Sequence, residues 1–158
     1  PKPVAVSGQT YNIWKDIKEY VYTSMWGKPL PEGKKDVDDY ALALIRFENG
    51  ATLNLNVSWA INIETMNPEQ GVRLFGDKGG VALLGDVPHI LAEENRHIVD
   101  VHPQFAATNP GVEELKHFIE CIAENRQPLA TAEQGRTVQS ILDAIYRSSE
   151  QGREVAVA

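Results

Sequence analysis

The 158-residue sequence is poor in cysteine and in positive charge, and it contains no long hydrophobic run. Its one cysteine, Cys121, cannot form an internal disulfide, which favours a reducing compartment such as the cytoplasm. Lysine and arginine number 15 against 22 acidic residues, whereas binding to nucleic acid phosphates needs clustered basic residues. No apolar stretch approaches the roughly 20 residues that cross a bilayer. These deficits argue against nucleic acid and membrane as partners.

The sequence also lacks the short motifs of several enzyme classes. Neither G-x-G-x-x-G nor G-x-x-x-x-G-K-[ST] occurs, and there is no G-x-S-x-G. The glycine-rich segment FGDKGGV leads into a strand pattern, which favours a hairpin turn over a phosphate loop. His97 and His102 should point to opposite faces of a regular strand, and His89 and Glu93 are too far apart to share an ion. We therefore predict no metal site, no cofactor site and no nucleophile.

What the sequence does contain, over its first two thirds, is a series of strand patterns. A strand pattern starts within the first residues, which leads us to expect that the chain is the back part of a longer protein. In the stretch ATLNLNVSWA, apolar and polar residues alternate strictly, which predicts a strand with one apolar face and one polar face. The apolar face carries Leu53, Leu55, Val57 and Trp59, and the polar face carries Thr52, Asn54, Asn56 and Ser58.

The last third of the sequence is helical. Asn109 and Pro110 predict the start of one helix, and Thr131 with Gln134 predicts a capping box at the start of a second. Two amphipathic helices can cover only one side of a wide sheet. The order of elements therefore predicts a single α+β domain, residues 1–158, with helices on one face of an open, mainly antiparallel sheet of about six or seven strands.

Three residues are the candidate substrate contacts. Trp26 lies in a loop rich in proline and glycine, where an indole ring can stack on the C–H face of a sugar. Trp59 ends a strand and Asn62 follows it in a long loop, although the position of Trp59 on the apolar face of the strand favours a core residue. The acidic run DVDD at 36–39 is interpreted as a solvated loop rather than as an acid/base pair.

Three segments together resemble a known family over nearly the whole chain. They are VDDYALALIRFENGATLNLNVSWA, VRLFGDKGGV, and the C-terminal stretch from LKHFIE to REVAV. In this order they are similar to the C-terminal domain of the Gfo/Idh/MocA oxidoreductases, which has a glyceraldehyde-3-phosphate-dehydrogenase-like fold. The most specific parts are Gly50 with Ser58–Trp59, the turn Gly76–Gly80, and the final helix that runs into Gly152.

The resemblance implies a two-domain enzyme that oxidises or reduces a sugar, cyclitol or related polyol by hydride transfer with NAD or NADP. An N-terminal Rossmann domain would hold the cofactor, and this chain would supply part of the substrate pocket and the oligomer contact. The polar face of Thr52, Asn54, Asn56 and Ser58 would pack against another subunit. The family's catalytic E-K-P and D-x-x-x-H motifs have no counterpart here, so we assign no catalytic residue and expect this chain alone to bind no cofactor and to be inactive.

Two other functions remain open on the sequence. The chain could be a non-catalytic module that dimerises through its polar face. It could also be a small-molecule-binding protein that uses the Trp26 loop without redox chemistry.

Overall fold

A computed structural model of the chain describes residues 1–13, 15, 36–59, 71–84, 87–106 and 108–158. Its contacts divide the chain into two units, residues 1–61 with 127–158 and residues 62–126. The elements of the described residues are β1 (Pro3–Tyr11), β2 (Tyr40–Phe47), β3 (Thr52–Ser58), β4 (Gly71–Gly76), β5 (Gly79–Leu84), β6 (Val87–Glu94), β7 (His97–Val101), α1 (Pro110–Ala123), α2 (Ala132–Gln151) and β8 (Val155–Ala156).

The first unit is an antiparallel sheet with strand order β3-β2-β1-β8 and helix α2 packed on one face. The alternation of apolar residues along β1 and β2 directs Val6, Ala43 and Ile45 toward that helix, where they pack against Ala144 and Ile145. All five side chains are buried. This small apolar cluster, completed by Val155 of β8, is the core of the unit.

Helix α2 begins and ends as its sequence predicts. Thr131 and Gln134 form the capping box, and Gly152 ends the helix in the left-handed conformation with φ 62°. The helix lies close to β1 at Gly8, where an added Cβ would stand 3.1 Å from Cγ2 of Ile145. Glycine at this position therefore allows the close approach of helix and strand.

Among the described residues of the first unit, no helix packs on the opposite face of the sheet. Register pairs Leu44 with Asn54 and Leu42 with Asn56, so the polar residues of β3 share this face with two leucines that are 38% exposed. The predicted alternation of Thr52, Asn54, Asn56 and Ser58 on one face is thus present in the sheet.

The second unit contains an antiparallel meander, β4-β5-β6-β7, and helix α1. The segment FGDKGGV forms the predicted hairpin turn, with Gly76 paired to Gly79 across it. Helix α1 starts at Asn109, whose side-chain oxygen accepts a hydrogen bond from the N–H of Val112, followed by Pro110 at the first turn. Helix α1 thus begins as predicted, and the segment FGDKGGV connects two strands rather than a strand and a helix.

The α+β class and the mainly antiparallel strands are confirmed. The strands of the described residues number eight and form two sheets of four, where the sequence led us to expect about six or seven strands in one open sheet. Periodicity identifies a strand but does not identify its neighbour, which explains the difference. Among the described residues, neither helix has both the length and the hydrophobicity that crossing a membrane requires.

Candidate functional site

A cavity of about 280 Å³ lies in the first unit, between the end of the sheet and helix α2. Strands β2 and β3 contribute five of its lining residues. Its lining is mainly apolar and aromatic, with a few polar groups at one end: Thr10, Asp38, Asp39, Tyr40, Ala41, Leu55, Val57, Ser58, Trp59, Leu142, Ile145 and Tyr146. Such a composition is typical of a small-molecule pocket.

Trp59 is fixed beside this cavity with much of its ring uncovered. Its indole Nε1–H donates to the backbone oxygen of Asp38 over 2.8 Å, and its backbone N–H donates to the oxygen of Asp39 over 3.3 Å. The side chain is nevertheless 55% exposed. Two hydrogen bonds thus orient an aromatic face that remains partly exposed among the described residues, and such a face can stack on a flat apolar group.

Tyr146 of α2 faces the same cavity and meets the side chain of Asp38. Partial burial of the phenol, followed by the negative charge and the hydrogen bond of Asp38, raises the pKa of Tyr146. The phenol therefore stays protonated as a hydrogen-bond donor over the physiological range. Helix spacing places Leu142 one turn before Tyr146, so the helix contributes both an apolar and a polar contact to the cavity.

Asp39 is buried, with a relative exposure of 1%. Its backbone N–H donates to the oxygen of Tyr11, and its backbone oxygen accepts from the hydroxyl of Ser58 over 2.7 Å. The interpretation of the acidic run as a solvated loop is wrong at this residue, because its main chain joins the ends of β1 and β3. Alternation along the chain could not reveal this, since the partners are contributed by other strands.

Of the three residues predicted to contact substrate, only Trp59 lies within the described residues, and its role as a contact stays a prediction. Trp59 lines the cavity and is not a core residue, which removes the alternative interpretation of its ring. Trp26 and Asn62 lie outside the described residues. The sequence analysis missed Tyr146 and Asp38 as lining residues, because Tyr146 belongs to the apolar stripe of α2 and only the three-dimensional contact with Asp38 distinguishes it.

The glycine-rich turn differs in its connection from the turn that holds a dinucleotide. The pyrophosphate of NAD is held where a glycine-rich turn joins a strand to the N-terminus of a helix, whereas the glycine-rich turn here joins two antiparallel strands. The cavity offers an aromatic face, a phenol and carboxylates, which can bind and orient a polyol. The fold thus defines an α+β domain, and this cavity is its candidate site.

Comparison with known proteins identifies the family of this domain. A family profile described as "Oxidoreductase family, C-terminal alpha/beta domain", that of the Gfo/Idh/MocA oxidoreductases, matches residues 15–157. The chain therefore belongs to this family and carries its C-terminal domain.

One curated relative is similar in sequence, and two solved structures share the fold. The chain is 31% identical over 120 residues to D-glucoside 3-dehydrogenase of Escherichia coli strain K12, covering 75% of this chain and 33% of that protein. It thus spans about a third of the length of this relative. Levoglucosan dehydrogenase in complex with NADH superposes with a TM-score of 0.77 at 20% identity, over 99% of this chain and 45% of its own. An aldose-aldose oxidoreductase from Caulobacter crescentus, complexed with glycerol, gives 0.67 at 23% identity, over 98% of this chain and 41% of its own.

Proposed function

We propose that this chain is the substrate-binding and oligomerisation domain of an NAD(P)-dependent oxidoreductase that acts on a sugar, cyclitol or related polyol by hydride transfer. The observation that carries the proposal is the family match over residues 15–157, together with the 31% identity to a D-glucoside 3-dehydrogenase. The single cysteine fits an enzyme of the cytoplasm.

The cofactor and the proton-transfer residues belong, in this proposal, to an N-terminal Rossmann domain of the full-length enzyme. Two observations support this assignment: the chain matches about a third of the length of its dehydrogenase relative, and its glycine-rich turn has the wrong connection for a dinucleotide. NAD or NADP would supply the hydride chemistry from that domain. The chain by itself would be inactive.

The residues of this chain bind and orient the substrate. The exposed face of Trp59 covers the C–H face of a sugar ring, and the phenol of Tyr146 and the carboxylate of Asp38 are placed to exchange hydrogen bonds with its hydroxyls. Trp26 and Asn62, which lie outside the described residues, are proposed as further contacts on the basis of the sequence. Orientation of the reacting carbon toward the nicotinamide is the contribution that such a domain makes to the rate.

The role of Trp59 can be tested in the full-length enzyme. Trp59→Ala should raise KM for the sugar substrate at least about tenfold, because stacking and ring burial are lost, while KM for the cofactor stays unchanged. Trp59→Phe keeps a ring and should retain most of the affinity. The control is Gln139→Ala, an exposed position of α2 that does not line the cavity.

An equal sugar KM for Trp59→Ala and the unmodified enzyme would contradict the substrate role of Trp59. A full-length enzyme that transfers hydride to or from no sugar, cyclitol or polyol would contradict the wider proposal. The two failures are distinguishable, because the second is observed before any substitution is made.

The second role is an oligomer contact through the open face of the first sheet. Thr52, Asn54, Asn56 and Ser58 lie on this face beside Leu42 and Leu44. This face mixes apolar and hydrogen-bonding groups, and no helix of the described residues of the unit lies over it, which supports packing against a second copy of the sheet.

A further inference from the structure

Three potential metal ligands come together on the hairpin of β6 and β7 in the second unit. They are His89, Asp100 and His102, here called the His–Asp–His cluster. All three lie within residues 62–126, so the cluster is complete within one unit. Its assignment is independent of the proposed oxidoreductase function.

Strand register explains why these side chains meet. Ile90 of β6 pairs with Val101 of β7, so the next position along the hairpin sets His89 opposite His102. Asp100 precedes His102 by two residues and therefore points to the same face of the strand. The sequence analysis considered His97 with His102 and His89 with Glu93, and it missed the cluster because the combination depends on the cross-strand register.

The distances within the cluster fit a shared ion. One carboxylate oxygen of Asp100 lies 3.2 Å from Nδ1 of His89, and the other lies 3.4 Å from Nε2 of His102. Two ligand atoms that are each about 2.1 Å from a tetrahedral ion are separated by about 3.4 Å. The donor atoms of all three residues lie within 4.8 Å of one another.

We propose that the His–Asp–His cluster binds one divalent first-row transition-metal ion, of which zinc is the best match. Two imidazole nitrogens and one carboxylate oxygen are ligands suited to zinc, and three protein ligands leave a coordination position for water or for a fourth group. The three side chains are between 31% and 49% exposed, so an ion reaches them from solvent. The bound ion would cross-link the ends of β6 and β7.

A hydrogen-bonded surface cluster without an ion is the competing explanation. Asp100 can accept from both imidazoles, and exposed pairs of this kind contribute little to stability. That explanation accounts for each contact with Asp100 separately. The edge-to-face contact of the two rings, with centroids 4.3 Å apart, brings both imidazoles to the same carboxylate and is compatible with either explanation. The two explanations differ in whether zinc binds with defined stoichiometry.

Calorimetric titration of the full chain with zinc chloride distinguishes them. We expect one zinc ion per chain and, with cobalt(II) in place of zinc, the intense visible absorption of a tetrahedral site. His89→Ala and His102→Ala should each weaken zinc binding at least about 100-fold, because loss even of a residue that supports a ligand costs 10–100-fold. Asp100→Asn tests the carboxylate separately.

His97→Ala is the matched control, since His97 lies on the same strand but on its other face. It should bind zinc as the unmodified chain does. Circular dichroism of each variant checks that the fold is retained, as expected for exposed positions. Failure of the unmodified chain to bind zinc, or unchanged affinity in a His89→Ala/His102→Ala double variant, would overturn the proposal.

Discussion

Single residues of the cavity show where sequence patterns stop being informative. The alternation of β3 correctly predicts that Trp59 is on the apolar side, but it cannot tell a covered ring from an exposed one. Asp38, Asp39 and Tyr146 acquire their roles from contacts between β1, β3 and α2 that no local pattern encodes. The candidate site was therefore predictable at one of its residues and not at the others.

The phenol of Tyr146 gives a prediction about pH. Since its pKa is raised in the folded chain, its contribution to stability is fully present below the unfolded value, about 10, and is lost as the pH rises through the folded pKa. Tyr146→Phe should lower the unfolding free energy at neutral pH by at most about 1 kcal/mol, because the half-exposed ring weakens the interaction with Asp38. The variant should also lose less stability than the unmodified chain above about pH 10.

Urea denaturation at a series of pH values measures both effects. Tyr11→Phe is the control, since Tyr11 stacks on Tyr40 through its ring, with centroids 5.6 Å apart, and keeps that contact without its hydroxyl. If Tyr146→Phe and the unmodified chain lose stability in parallel at alkaline pH, the pKa of Tyr146 is not raised in the folded chain in solution.

At the scale of elements, most of the fold followed from the sequence. Period-two alternation located the strands, and side-chain capping located the starts of both helices, because each of these signals arises from interactions within a few residues. The division into two sheets did not follow, since it depends on which strands pair over long sequence distances.

The free edge of β1 is an element-scale feature that only the structure reveals. β8 pairs with β1 only at Ala5 and Val6. Beyond these residues, two backbone N–H groups of β1 donate hydrogen bonds to side chains of α2. The N–H of Gly8 donates to Oγ of Ser148 over 2.9 Å, and the N–H of Thr10 donates to Oγ of Ser149 over 3.1 Å. Two helix hydroxyls thus replace a missing strand, which protects the edge from pairing with other chains.

Removal of the buried Ser148 hydroxyl should be costly. This hydroxyl also donates to the oxygen of Arg153 over 2.7 Å, so Ser148→Ala leaves a donor and an acceptor without their partner. We expect the unfolding free energy to fall by about 1–3 kcal/mol, measured by urea denaturation. Gln139→Ala, on the exposed side of α2, should change it by less than about 0.5 kcal/mol. Equal midpoints for the two variants would show that water replaces the lost hydroxyl.

At the scale of the whole molecule, the proposed contact between subunits depends on the exposed leucines of the open face of the first sheet. In the first sheet, one face is covered by α2 at β1, and the other presents polar residues of β3 in register with leucines of β2. A sequence can predict that such a two-sided strand exists, as it did for Thr52, Asn54, Asn56 and Ser58. It cannot predict what covers the face, because a solvated face and a subunit contact share the same alternation.

A charge placed at the centre of this face tests the assembly. Leu44 lies between Ser7 and Asn54 on the open face, so Leu44→Lys would bury a lysine without a partner in any contact that uses the face. We expect the unmodified chain to self-associate in sedimentation velocity at high concentration. Leu44→Lys should raise the dissociation constant of the oligomer at least about tenfold, which is equivalent to about 1.4 kcal/mol of association free energy. Gln139→Lys adds the same charge on α2, away from the face, and should sediment like the unmodified chain. A monomeric unmodified chain, or a Leu44→Lys variant that associates equally well, would mean that this face is not the contact surface.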